Sequence, residues 1–169
     1  TEPCSNGLGS DNFAIVWDGR ELHGLNASGI SPAAWTSEYF RRRYGDDPSS
    51  RPKRGWDAVT VPGAPAGWAR LHERFGRLSF ADVLAPAIDY AERGFAVGTV
   101  VSEKWHLAAP LLREFPGYAE HFLPRGRAPL PGEHFVLPGA ARTLKLLAAQ
   151  GGEAFYRGEI AEAIAAHAR

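Results

Sequence analysis

Val59-Thr60-Val61-Pro62-Gly63-Ala64-Pro65-Ala66-Gly67-Trp68 holds two kinds of local order within residues 59–68. The apolar, β-branched run from Ala58 to Val61 predicts a short strand, and Pro62-Gly63 turns the chain. Pro65 then falls in the first turn of a helix, where its fixed φ is an advantage and its missing N–H costs nothing. Trp68, Leu71 and Phe75 lie on one side of that helix, and Gly76 closes it.

Upstream, Phe-Ala-Ile-Val-Trp-Asp at 13–18 is an apolar run followed by Gly19. Asp18-Gly19 is a tight-turn dipeptide because both residues tolerate positive φ, so a hairpin is expected with its return strand through Leu22 to Leu25. Ser31-Pro32 to Tyr44 predicts a helix that buries Trp35, Tyr39 and Phe40. Residues 45–55 are too rich in glycine, proline, serine and charge to bury apolar area, and predict a mobile, protease-sensitive loop.

Downstream, Ser79 and Asp82 form a capping box with Asp in place of Glu. Phe80, Leu84, Ala87, Ile88 and Ala91 follow as a helical stripe that Gly94 ends. Pro86 interrupts that stripe and predicts a kink or two abutting helices. A further helix is expected over 99–113, a proline-rich connection over 123–138, and two last helices through Leu144, Leu147 and Ala148 and through Ile160 and Ile164. Strands in front and helices behind make the expected class α+β, helix-rich in the second half, with 1–169 as one unit.

The 169 residues are 44% hydrophobic, enough for a real core, and 19 basic side chains balance 19 acidic ones. A neutral balance lacks the field on which non-specific nucleic-acid or anionic-membrane binding relies, so neither partner is expected. No apolar run approaches the roughly 18 residues of a membrane span. The start lacks the layout of a signal peptide, so either the mature protein is soluble or a leader has been removed; cytoplasm and periplasm both stay open.

Chemistry-bearing residues are sparse. The segment Cys4-Ser5-Asn6-Gly7-Leu8-Gly9-Ser10-Asp11-Asn12-Phe13 permits a tight backbone path with exposed N–H groups, able to bind an anion or an oxyanion. It lacks the Gly-Lys-Ser/Thr ending of a phosphate loop, and taken alone a tight strand entry is the better reading. The six histidines never fall at i, i+4 around a glutamate, so no metal is expected. There is no Gly-x-Ser-x-Gly elbow, and lone Cys4 reads as a small apolar filler. The basic residues Arg41, Arg42, Arg43, Arg51, Lys53 and Arg54 read as solvated surface, and Glu159 and Glu162 as ordinary helix charges. A free N-terminal Thr1 could attack an amide with its own amine as base, but Thr1-Glu2-Pro3 runs straight into the tight loop and reads as a processing start.

Five blocks taken in order resemble the front of the large chain of γ-glutamyltranspeptidases and the related cephalosporin (glutaryl) acylases. They are Glu2 to Gly9 leading to Phe13, Val59 to Trp68, Leu71-His72-Glu73-Arg74-Phe75-Gly76, Leu84-Ala85-Pro86-Ala87-Ile88 to Ala91-Glu92-Arg93-Gly94-Phe95, and Ala154-Phe155-Tyr156-Arg157-Gly158-Glu159-Ile160-Ala161. The resemblance implies an αββα N-terminal-nucleophile hydrolase sandwich, made as a proenzyme that cuts itself in two. A companion small chain would begin with the nucleophilic threonine, leaving no catalytic residue and no cofactor in this chain. A small amide would be the substrate. The resemblance implies a helical segment ahead of the Gly7 loop, so the chain is expected to be a fragment at both ends or a processed piece of a nicked enzyme.

In glutathione-using members an Arg-Glu pair shortly before an Ala-Pro holds the substrate α-carboxylate, a bidentate contact suited to guanidinium. The corresponding stretch here is Asn26-Ala27-Ser28-Gly29-Ile30-Ser31-Pro32, with Ser28 in the arginine's place. Arg20-Glu21 lies at the hairpin turn, too far ahead of Pro32, and Ser10-Asp11-Asn12 replaces the usual run of three glycines. Ser28, Asn26, Gly9 and Ser10 are therefore the expected substrate-binding residues. A dicarboxylic acyl amide, glutaryl-like, is the expected substrate; the alternatives are a true γ-glutamyltransferase or glutathione hydrolase and a catalytically silent scaffold.

Overall fold

The computed structural model describes residues 2–3 and 7–168. The readings of Thr1 and Cys4 lie outside them. β1 (Asn12–Trp17) and β2 (Leu22–Ala27) form the expected hairpin, antiparallel from Asn12↔Ala27 to Trp17↔Leu22. Asp18 makes the turn: its Oδ1 accepts the N–H groups of Arg20 and Glu21 at 2.8 and 2.9 Å, while Gly19 takes φ +101°. Side chains alternate across the ribbon. Ala14, Val16, His23 and Leu25 are half-buried, and the ribbon packs against the helix that follows Pro62-Gly63. Phe13, Ile15, Trp17 and Leu22 stand on the opposite face, 62–76% exposed.

α1 (Ser37–Tyr44) begins later than the sequence suggests. Ser31-Pro32 opens a turn closed by Trp35 N–H donating to Pro32 O (2.9 Å), and Thr36 caps the helix, its Oγ1 accepting from Tyr39 N–H at 3.0 Å. The expected buried aromatic face is only half-buried. Residues 45–55 hold one 3-10 turn, Pro48–Ser50, capped by Asp47. The strand expected over 58–61 does not form. A 3-10 turn occupies Trp56–Ala58, and Val61 N–H makes a single bond to Ile30 O (2.9 Å), because Pro62 can donate nothing to extend a ladder.

α2 (Ala64–Phe75) and α3 (Phe80–Arg93) match expectation, with Ser79 Oγ accepting from Asp82 N–H at 3.1 Å. Pro86 does not divide α3, which runs through it as one helix; Pro86 is exposed, so water is at hand for the carbonyl it leaves unpaired. α4 (Thr99–Leu112) is followed by a short α5 (Tyr118–Phe122), then α6 (Pro138–Gln150) and α7 (Glu159–His167). The connection at 123–138 conceals β4 (His134–Phe135), which pairs antiparallel with β3 (Phe95–Ala96).

Two cores result. Val97, Val101, Trp105, Leu123, Ala128 and Phe135 enclose one, with Trp105 edge-on to Phe135 at 4.6 Å. Leu84, Leu144, Leu147 and Phe155 enclose the other, where α3 lies along α6. Trp68 of α2 and Ile160 and Ile164 of α7 pack on this second core, so the helix that follows Pro62-Gly63 is anchored by the C-terminal third of the chain.

Candidate functional site

Three backbone segments meet at the start of α2: the Gly7–Ser10 loop, the bend Asn26–Ile30 and the turn Val61–Gly67. Ala64 N–H donates to Ser10 O at 2.9 Å, and Val61 N–H ties the turn to Ile30. Gly63 and Gly29 make close approach possible. A Cβ on Gly63 would stand 2.0 Å from Ala27 O and 2.5 Å from Gly29 N, and one on Gly29, at φ +67°, would stand 2.0 Å from Val61 O. Gly67 lets α2 pass the hairpin, since its Cβ would fall 2.7 Å from Asn12 Oδ1 and 2.8 Å from Ala27 Cβ.

All four expected substrate-binding residues lie on these segments. Asn26 is exposed, and its Oδ1 accepts Ser28 N–H at 3.0 Å, an Asx turn that fixes the bend. Ser28 is half-buried beside it. Ser10 acts locally, since its Oγ donates to Gly7 O (2.7 Å) and accepts Gly7 N–H (3.2 Å), closing the loop that leaves Gly9 exposed. Asn26 also lines an open concavity of about 550 Å³ with Phe13, Ala14, Ile15, Gly24 and Leu25, a lining without a charged side chain.

Tyr156 is not legible as a site residue in the sequence, where it is only part of a motif. Its hydroxyl donates to Pro62 O (2.7 Å) and accepts Ala66 N–H (3.1 Å), and burial holds its pKa above the ordinary phenol value. Asp57 carries no sequence signal either. Tyr44 and Tyr39 donate to its two oxygens at 2.5 and 2.8 Å, and Arg43 Nε lies 3.0 Å away; these partners, Tyr44 foremost, hold the carboxyl below its ordinary range. This network commits Arg43 to tying α1 to the Trp56–Ala58 turn.

Asp18, Glu21 and His23 gather at the hairpin turn. Arg74 Nη2, which can only donate, lies 2.8 Å from His23 Nδ1, so the proton of the neutral ring is on Nε2, 2.8 Å from Asp18 Oδ2. With both ring nitrogens engaged and a guanidinium alongside, the cluster latches the hairpin to α2.

The sequence model of the γ-glutamyltranspeptidase family matches residues 1–169. The chain is 38% identical over 168 residues to the glutathione hydrolase-like YwrD proenzyme of Bacillus subtilis, covering 98% of this chain and 31% of that protein. It is 38% identical over 174 residues to the oxamate amidohydrolase proenzyme of Klebsiella pneumoniae, covering 96% and 31%. The crystal structure of cephalosporin acylase from Bacillus halodurans superposes with a TM-score of 0.89 at 43% identity, covering 98% of this chain and 32% of that one. The chain thus spans about a third of the length of the curated relatives it matches. With a family match from end to end and a backbone that follows an acylase of the N-terminal-nucleophile fold, the chain belongs to the γ-glutamyltranspeptidase family.

Proposed function

We propose that this chain is the front part of the large chain of a self-processing amidohydrolase that cleaves a dicarboxylic acyl amide, glutaryl-like, such as a cephalosporin side chain. The segment Leu25–Ile30, which contains the Asn26–Ile30 bend, and the loop Gly7–Phe13 shape the acyl pocket. A companion chain supplies an N-terminal threonine whose hydroxyl attacks the amide carbonyl while its own amine takes the proton. The amine half of the substrate leaves, and water hydrolyses the resulting ester.

The observation that carries this reading is Ser28: a short hydroxyl in a fixed backbone bend stands where glutathione-using relatives are expected to place a guanidinium. The cephalosporin acylase and the oxamate amidohydrolase, neither named for a γ-glutamyl substrate, support it. The glutathione hydrolase-like relative favours the second reading, a γ-glutamyl enzyme.

Ser28→Arg in the protein assembled with its companion chain separates them. A charged hydrogen bond is worth about 1.5–3 kcal/mol, so the variant should gain roughly 10- to 100-fold in γ-glutamyl anilide turnover and lose turnover of glutaryl anilide. Unchanged γ-glutamyl turnover would remove Ser28 from the pocket, and efficient wild-type turnover of glutathione would select the second reading.

A further inference from the structure

The turn that positions the Asn26–Ile30 bend is itself held from a distance. α2 starts at Gly63 with no side-chain cap, so the amides of its first turn look elsewhere for acceptors. The hydroxyl of Tyr156 takes one of them, Ala66 N–H, and gives its own proton to Pro62 O, joining the residue before the cap to the third residue of the helix. It does at 90 residues' separation what a capping serine or aspartate does locally.

The Tyr156 ring is fixed in turn. Phe155, 5% exposed in the second core, meets it edge-on at 5.2 Å, and Gly152 brings the same segment so close to α2 that a Cβ there would stand 2.6 Å from Ala69 Cβ. On the other side of the turn, Gly63 meets Ala27 and Gly29 main chain to main chain, with no flexible side chain to absorb a displacement. A shift of the Pro62–Ala66 turn therefore passes directly to the bend.

We propose that Tyr156 is a positioning residue for acyl recognition: its hydroxyl locks the Pro62–Ala66 turn, and the turn fixes the Asn26–Ile30 bend that carries Ser28. The inference rests on the assignment of that bend to the acyl pocket, and its structural half can be read without any substrate.

Tyr156→Phe keeps the ring and removes only the hydroxyl. In the protein assembled with its companion chain, hydrogen exchange at the Val61 and Ala64 amides should quicken about tenfold. The Leu123 amide, in the other core, should keep its wild-type rate. KM for glutaryl anilide should rise about five- to tenfold with kcat changed less than twofold, since uniform substrate binding is lost and the chemistry is not. Unchanged exchange at Val61 and Ala64 overturns the inference. So does faster exchange at Leu123 to the same degree, which would make Tyr156 a general packing residue. If KM is unmoved by Tyr156→Phe but moved by Ser28→Ala, the positioning role is wrong and the pocket assignment stands. If neither variant moves KM, the pocket assignment fails and takes the inference with it.

Discussion

Position 63 admits only glycine because of what lies beyond it. Ala27 O would be 2.0 Å from an added Cβ, and that oxygen belongs to backbone which Gly29 presses against Val61 in return. Neither side can yield without moving the bend. Gly63→Ala should destabilise the fold by about 1–3 kcal/mol, the usual range for overpacking. Gly139 is the control: it lies in α6, where the nearest atom to an added Cβ is the end of the Arg142 side chain at 3.8 Å. Gly139→Ala should be neutral or stabilise by up to about 1 kcal/mol. Urea midpoints for the two variants decide the matter; equal midpoints would show that the backbone around Gly63 yields more easily than its close contacts require.

Among the elements, legibility followed length and pattern. The hairpin, α2 and α3 with its Ser79 cap were readable because each has an apolar pattern long enough to register and a turn residue or cap at its end, while α4, α6 and α7 were readable only as helical stretches. α1 starts later than its sequence suggests because Ser31-Pro32 offers a helix-start signal that Thr36 outcompetes with an actual bond to Tyr39 N–H. The β3–β4 pair was invisible, since two-residue strands carry no alternation. Their pairing is held by a carboxylate instead. Glu133 O accepts Val97 N–H, and the Glu133 carboxylate takes Arg127 Nη1 and Nη2 at 2.9 and 2.8 Å, Leu130 N–H at 2.8 Å and Arg125 Nη2 at 2.9 Å. Arg127 above all, then the Leu130 N–H, lowers the Glu133 pKa to about 2. A pKa lowered on folding contributes stability above the unfolded value, near 4.5, and that contribution is lost as pH falls through about 2. Wild type should therefore lose melting temperature between about pH 5 and about pH 2 more steeply than Glu133→Gln, which has no carboxylate there to protonate. Thermal melts followed by fluorescence at two pH values test this, and parallel losses in the two proteins would count against it.

At the scale of the whole molecule the hairpin is unfinished. A two-stranded ribbon is marginal in water, and among the described residues α2 covers one of its faces. On the other face Phe13, Ile15, Trp17 and Leu22 are 65%, 76%, 62% and 65% exposed. Each would gain about 1–2 kcal/mol from burial of the area still exposed, so the face is a large source of association energy in a chain whose cores lie elsewhere. In an αββα sandwich such a face packs on a second sheet, and we propose that the companion chain helps to cover it. The combined variant Phe13→Thr, Ile15→Thr and Trp17→Thr puts strand-favouring β-branched residues in the ribbon and removes most of the apolar face. It should abolish co-purification of the companion chain while leaving far-UV circular dichroism of this chain unchanged, because none of the three side chains enters either core. Wild-type chain produced alone should self-associate as concentration rises, and the variant should not. If the complex forms as well with threonine at all three positions, the second sheet does not lie on this face, and the ribbon's exposed side chains need another explanation.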